Sequence, residues 1–313
     1  MIKVADFFAG IGGIGRGFAH ANKNYQVIYA NDMDKKCKET YDINSDHVKL
    51  TLQSIADIDE RKLPDFDVFC GGFPCQPFSV AGKREGFNDK RANVFFDILR
   101  ILKHKKPVCI FLENVKNLHT HDKGNTFSTI KQHLEDLGYI LYYKVLNSSE
   151  YGNVPQNRER IYIIGFLGFD PEFEFPEPIP LTTTLGDFLE TGGVDEKFYY
   201  TEKSSIYKKL VEAINKKNTV YQYRRYYVRE NKSNKCPTLT ANMGTGGHNV
   251  PIILDNEGIR KLTPLECFRL QGNRDLIIPD NVSNSELYKQ AGNSVTLTVI
   301  KRIAVSIYES LTI

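Results

Sequence analysis

Through the first half of the chain, short apolar runs alternate with stretches in which apolar residues recur every three or four positions. The runs at residues 4–8, 27–30, 68–71, 108–112, 140–145 and 160–166 read as strands. Residues 93–102, with Phe95, Ile98, Leu99 and Leu102 on one face, and residues 125–137 read as helices between them. That alternation predicts β-α-β units, and so an α/β domain around a parallel sheet. Past Gly168 the pattern stops: Pro171, Pro176, Pro178 and Pro180 interrupt any regular element and put a boundary at residues 170–190. A helical pattern returns at residues 294–311, where Val299, Ile300, Ile303, Ile307 and Leu311 form one apolar stripe. The stripe must bury against something, and the α/β sheet is the expected partner.

Composition narrows the class without naming a function. A chain of 313 residues, 41% hydrophobic and 25% charged, has room for one large core or two modest ones and excludes collagen-like, disordered and disulfide-stapled designs. No apolar run approaches the roughly 18 residues of a membrane span. Asp6 puts an acid where an export leader would be apolar, so the chain is expected to stay in the cytoplasm with its six cysteines reduced. Those cysteines show no C-x-x-C pair and no zinc spacing, so no metal is expected. Charge is concentrated: residues 197–235 hold eight Lys and three Arg against three Glu, a net +8 in a chain whose total is +3. Seven tyrosines share that segment, and Tyr221, Tyr223, Tyr226 and Tyr227 surround Arg224 and Arg225. Interleaved basic and aromatic residues fit a polyanion-binding surface; a solvated lysine-rich helix before an edge strand explains the segment equally well.

Two loops carry candidate chemistry. The first, Phe8-Ala9-Gly10-Ile11-Gly12-Gly13, follows a predicted strand and opens a predicted helix, where glycines let the backbone approach a ligand at the helix N-terminus. Gly10, Gly12 and Gly15 satisfy G-x-G-x-x-G, and Asp32 lies twenty residues past Gly12, where a carboxylate accepts ribose hydroxyls. An adenosine-containing cofactor follows; the loop alone leaves a dinucleotide and S-adenosylmethionine both open. The second loop, Gly72-Phe73-Pro74-Cys75-Gln76-Pro77, starts at the C-terminal end of an apolar strand, the edge at which α/β proteins place active sites. Prolines flank Cys75 and stiffen its loop, which makes it a candidate nucleophile. An isolated cysteine is more often a small buried residue, and the other five are read that way.

Pro74-Cys75-Gln76 after such a glycine loop resembles the DNA (cytosine-5)-methyltransferase family of bacterial restriction-modification systems. The resemblance runs in the family's order along nearly the whole chain. After the glycine loop, Asp32 and the Cys75 loop come Glu113-Asn114-Val115 and Gln156-Asn157-Arg158-Glu159-Arg160. Lys261-Leu262-Thr263-Pro264-Leu265-Glu266-Cys267 and Gly292-Asn293-Ser294-Val295 follow. It implies a Rossmann-like S-adenosylmethionine-dependent methyltransferase domain over residues 1–188 and a smaller target-recognition domain over 189–258. Residues 259–313 are then a hinge and a C-terminal helix returning to the catalytic domain. The implied activity is methyl transfer from S-adenosylmethionine to carbon 5 of a cytosine flipped out of double-stranded DNA.

The resemblance also implies roles. Carbon 5 of cytosine is a weak nucleophile until a thiolate adds to carbon 6, and Cys75 is the implied thiol. Glu113, its pKa expected to rise on burial, meets ring nitrogen 3. Arg160 stabilises charge at the cytosine carbonyl oxygen, and Arg158, two positions away on the same predicted strand face, supports the nucleophile loop. Phe8, Ala9, Gly10, Ile11, Gly12, Gly13, Asp32, Met33, Pro74, Asn293 and Ser294 are the implied cofactor contacts; Asn293 and Ser294 also suit a cap of the final helix. Ser54 stands where the family usually has an acid, and Asp57 is the candidate replacement. Implied DNA contacts are Gln76, Ser79, Lys83 and Arg91 in a loop that closes over the nucleotide. Arg224, Arg225, Thr238, Leu239 and Thr240 are those of the recognition segment. The expected partners are duplex DNA and a cognate restriction endonuclease without a stable complex, the protein itself acting as a monomer. A nicotinamide-dependent oxidoreductase accounts for the glycine loop but not for the cysteine loop, and an RNA-modifying relative would carry a shorter recognition region.

Overall fold

The computed structural model describes residues 1–45, 48–74, 94–246 and 248–312; Cys75, Gln76, Ser79, Lys83 and Arg91 lie outside the described residues. Two compact units emerge from the packing. The first takes Met1–Leu146, Glu159–Pro176 and Ile300–Ile313, and the second takes Asn147–Arg158 and Glu177–Val299.

The strands up to residue 167 are β1 (Ile2–Phe7), β2 (Tyr25–Asp32), β3 (Thr51–Leu52), β4 (Val68–Gly72), β5 (Cys109–Val115), β6 (Tyr139–Asn147), β7 (Gln156–Asn157) and β8 (Glu159–Leu167). All but β7 form a seven-stranded sheet in the order β3-β2-β1-β4-β5-β8-β6. Strands β3, β2, β1, β4 and β5 pair in parallel. Val4, Ala5 and Phe7 of β1, Val68, Phe69 and Cys70 of β4, and Cys109, Ile110, Phe111 and Leu112 of β5 are each fully buried. Burial on both sheet faces is why these strands read as unbroken apolar runs. The helices are α1 (Gly13–Ala21), α2 (Lys38–Ile43), α3 (Val94–Lys105) and α4 (Asn125–Asp136). Of these, α3 buries Phe95, Ile98, Ile101 and Leu102, and α4 buries Phe127, Ile130 and Leu134.

The expectation of a wholly parallel sheet needs correction. Strand β8 runs antiparallel to β5, pairing Cys109 with Phe166 and Val115 with Arg160. A parallel neighbour needs a crossover over the sheet face. Residues 148–158 instead contribute to the second unit before the chain returns, and β8 comes back reversed.

The second unit adds α5 (Ser148–Tyr151), α6 (Tyr207–Ala213), α7 (Pro264–Arg269) and α8 (Asn284–Asn293). Its strands are β7 with β9 (Tyr221–Arg224), β10 (Tyr227–Glu230), β11 (Cys236–Pro237), β12 (Ile252–Leu254) and β13 (Ile259–Lys261). A four-stranded sheet has the order β10-β9-β12-β13, and β11 pairs with β7. Ile206, Leu210, Ile214, Tyr221, Ile252 and Ile259 form the core beneath it. Because β13 pairs with β12, residues 259–261 pack with the segment that the sequence reading closed at 258. The last helix, α9 (Leu297–Leu311), starts three residues later than its pattern suggested. Within the first unit its stripe packs tightly on α1: a β-carbon at Gly17 would lie 2.5 Å from Ile300 Cγ2. Tyr25 Oη donates to the Ala304 carbonyl at 2.9 Å beside it. Among the described residues no helix is long and apolar enough to cross a membrane.

Candidate active site

The order β2-β1-β4 reverses direction between β1 and β4, and ligands of such sheets bind at the carboxyl edge of that switch. Phe7 is level with Gly71, and Gly72 is level with Glu113 on the next strand. Glu113 is buried and pairs with Arg160 across β5 and β8, Nε to Oε1 at 3.0 Å. A β-carbon at Gly72 would sit 3.4 Å from Glu113 Oε2, so the carboxylate lies over the end of β4. Lys116 takes Glu159 instead, at 2.9 and 3.0 Å. Asn114, also buried, donates from Nδ2 to the Phe73 carbonyl at 2.8 Å, and the Phe73 ring packs on Phe95 with centroids 6.0 Å apart. That bond fixes the backbone just before Pro74, which is exposed. The sequence pattern assigns Asn114 no role of its own; a polar residue directly after a strand-end acid is the signal it offers.

Arg158 and Arg160 do not share a strand face, which corrects the alternation argument. Strand β8 begins at Glu159, so Arg158 lies outside it. Arg158 is buried in the second unit and donates to the carbonyls of Leu239 at 2.9 Å, Gly292 at 3.2 Å and Ser294. Those bonds make Arg158 a positioning residue for residues 239 and 292–294. Ser294, expected as a helix N-cap, instead closes α8, its N–H donating to the Gln290 carbonyl at 2.9 Å; Asn293 is that helix's last residue.

The glycine loop has the backbone its composition requires. Gly10 (φ 55°) and Gly12 (φ 84°) lie in the left-handed region, and Phe8 adopts φ 55° without the freedom of glycine. Asp32 holds the loop, accepting from Gly10 N–H and Asp34 N–H at 2.8 Å each, and burial raises its carboxyl pKa. Asp6 accepts from Gly15 N–H at 2.9 Å; burial pushes its carboxyl up to about 7. A β-carbon at Gly10 would meet nothing within 4 Å, so the loop opens onto space. Ala9, Ile11 and Gly13 are buried beneath it. At the same sheet edge Met33 is 76% exposed, and Leu52, whose strand partner is Asp32, is 42% exposed. Leu52 escaped the sequence reading because its strand is two residues long. Ser54 accepts from Ala56 N–H at 3.4 Å as a local cap, and Asp57 is exposed.

In the second unit, register sorts the β9–β10 hairpin into two faces. Tyr221, Tyr223 and Val228 face the core. Gln222 pairs with Arg229 and Arg224 with Tyr227, so these four share the opposite face. Arg224 Nη2 donates to Gln222 Oε1 at 3.0 Å. Gln222, Arg224, Arg229, Thr238 and Asn242 line a cleft of about 530 Å³. Arg224 and Arg225 are exposed, as are Tyr226 at 80% and Tyr227 at 60%. Thr238 Oγ1 donates to the Asn157 carbonyl at 2.7 Å and Thr240 Oγ1 to Asn242 Oδ1 at 2.8 Å, while Leu239 between them is buried. Gln222 and Arg229 were missed, since only strand register puts them beside Arg224.

The sheet order and the glycine loop at the switch point define a Rossmann-like α/β fold of the methyltransferase class. Residues 2–309 match the family described as C-5 cytosine-specific DNA methylase, and the chain belongs to it. It is 52% identical to the type II methyltransferase M.Bsp6I of Bacillus sp. (strain RFL6), over 99% of this chain and 100% of that protein. Identity to M.HhaI of Haemophilus parahaemolyticus is 37%, over 99% and 95% of the two chains. The crystal structure of the S. pombe Dnmt2 methyltransferase matches the fold with a TM-score of 0.80 at 21% identity, covering 100% of both chains.

Proposed function

We propose that the protein transfers a methyl group from S-adenosylmethionine to carbon 5 of a cytosine flipped out of a short, specific sequence of double-stranded DNA. The transfer runs through a covalent adduct with Cys75. The observation that carries this reading is the Glu113–Arg160 pair at 3.0 Å, one strand across from Gly72, which precedes Cys75 by three residues. An acid and a guanidinium together suit a ring that must accept an electron pair at both nitrogen 3 and the neighbouring carbonyl oxygen.

In this mechanism the Cys75 thiolate bonds to carbon 6, and the displaced ring electrons move toward nitrogen 3 and the carbonyl oxygen. Glu113 in its protonated form donates at nitrogen 3, and Arg160 donates to the oxygen. Carbon 5 is then an enamine-like nucleophile. S-adenosylmethionine, when bound, supplies the electrophilic methyl group. Water then takes the carbon 5 proton, its bonding electrons re-form the 5,6 double bond and expel Cys75 as thiolate, and nitrogen 3 returns its proton to Glu113, which restores the aromatic ring. The open loop at Gly10, the acid Asp32 and the exposed apolar side chains of Met33 and Leu52 fit an adenosine moiety: backbone N–H groups, a ribose acceptor and an apolar face. On the family pattern Asn293 and Ser294 are further candidate cofactor contacts, and Asp57 is the candidate partner for the adenine amino group. Gln76, Ser79, Lys83 and Arg91 close on the flipped nucleotide, while Arg224, Arg225, Gln222, Arg229, Thr238 and Thr240 meet the duplex. The enzyme acts in the cytoplasm as a monomer and protects DNA from a cognate endonuclease.

Bisulfite sequencing of plasmid DNA from cells expressing the wild type, beside a Cys75→Ser control, tests this reading. Protected cytosines in one short recurring sequence, absent from the control, are expected. No protected cytosine despite folded protein would sink DNA as the substrate and turn the assay to tRNA.

A further inference from the structure

A second cavity in the second unit, of about 250 Å³, is lined by Lys197, His248 and Lys261, with no carboxylate among its described lining residues. Lys261 ends β13 and is half-buried, its Nζ 5.7 Å from the centre of the Phe198 ring. Lys197 Nζ approaches the same ring at 5.3 Å. Lys197 has Asp195 at 2.9 Å, whereas Lys261 forms no ion pair among the described residues. The acids on Tyr199, which lines the cavity, are already engaged: Asp255 and Glu257 both accept from its hydroxyl, at 2.9 and 3.2 Å, and Asp255 also pairs with Arg260. Burial and Lys197 press the Lys261 ammonium below its ordinary pKa, and burial and Lys261 press His248 below its own. His248 Nδ1 lies 3.3 Å from Tyr200 Oη, and burial lifts that hydroxyl to about 12. Tyr200 therefore stays protonated, and the His248 tautomer decides which of the two groups donates.

A half-buried cation without a counter-charge is costly, and an anion in the cavity relieves that cost. The lining also gives the position meaning. Met243 borders both this cavity and the 530 Å³ cleft beneath the Gln222–Arg224 face, so the two adjoin. Phosphate contacts beside a base-reading surface fix the register of a duplex on it.

We propose that Lys261, Lys197 and His248 form a cradle that seats one backbone phosphodiester of the bound duplex. The proposal rests on duplex DNA being the substrate. Lys261→Gln should lower the slope of log affinity against log salt by about one unit, on duplexes of any sequence, without changing which sequence is methylated. Lys301→Gln, on the exposed side of α9, removes the same charge elsewhere and serves as the control. Titrating inorganic phosphate into the DNA-free protein should shift the His248 imidazole resonances in the wild type and not in Lys261→Gln. An unchanged salt slope in a folded Lys261→Gln protein overturns the proposal. A phosphate-dependent His248 shift with that unchanged slope means the cradle takes free phosphate, which also overturns the DNA assignment. If the wild type neither binds nor methylates duplex DNA, the substrate reading has failed, and the phosphate titration still decides the cradle independently.

Discussion

Gly292 and Thr240 touch backbone to backbone: a β-carbon built on Gly292 would overlap the Thr240 carbonyl and crowd the Ala241 nitrogen. Arg158 ties the same two segments together, donating to the carbonyls of Leu239 and Gly292. Neither neighbour is a flexible side-chain tip, so Gly292→Ala forces α8 or residues 239–241 to move. A loss of about 2–4 kcal/mol is expected. Thermal unfolding should register it as a lowered Tm. On the proposed function, DNA affinity should fall with it. A Tm matching the wild type would show that the contact relaxes at no cost.

The Glu113–Arg160 pair predicts coupled kinetics. Glu113→Gln should slow methyl transfer by about 10²-fold, the usual scale of a lost general acid. On the proposed mechanism Arg160→Leu should cost a similar factor, because it removes the proposed donor to the cytosine oxygen and the partner that holds Glu113. The double variant should lose far less than the product of the two factors, since each single change already disables the same arrangement. Single-turnover rates decide this; a fully multiplicative loss would mean that the two groups act separately.

Much of the first unit was legible because its physics is local. The central strands β1, β4 and β5 are buried on both faces, so their apolar runs are continuous, and α3 and α4 each show one stripe. The direction of β8 was not legible, because an apolar run carries no sign; the excursion of residues 148–158 decides it. Spacing misled at Arg158 for a related reason: two residues apart means one face only inside a strand, and the strand begins at Glu159. Leu239 sits in a polar segment yet is buried, its N–H donating to Gln156 Oε1 at 3.3 Å, a partner 83 positions away that no local pattern reveals. The Asn114 bond to Phe73 spans 41 positions and was hidden in the same way.

Arg260 predicts a large stability effect within the second unit. It is 1% exposed and holds Glu266, itself fully buried, through two bonds of 2.8 Å. Glu266 also accepts from Thr263 N–H at 2.8 Å and Glu190 N–H at 3.0 Å, so one carboxylate caps α7 and anchors residue 190. Glu266→Ala removes all four bonds and leaves the buried Arg260 with Asp255 as its remaining carboxylate partner. A loss of about 3–5 kcal/mol is expected in urea unfolding. A loss under about 1 kcal/mol would mean that water replaces the carboxylate at this position.

Asp6 gives a pH dependence whose sign follows from burial. Its carboxyl is pushed up to about 7 by burial, with the charge of Asp32 adding to the rise and the Gly15 N–H opposing it. Between its ordinary value and about pH 7 the folded protein therefore holds a proton that the unfolded chain has released. Unfolding releases that proton, so the contribution of Asp6 to stability falls as pH rises, by up to about 1.4 kcal/mol per unit, and levels off above about pH 7. Asp6→Asn removes the titration but keeps an oxygen for the Gly15 N–H, so the variant should gain on the wild type steadily from pH 5 to pH 7. Urea midpoints for the two proteins at pH 5, 6, 7 and 8 measure the difference directly. A gap that stays constant across this range would show that Asp6 is already ionised at pH 5 and that the glycine loop rests on a charged carboxylate.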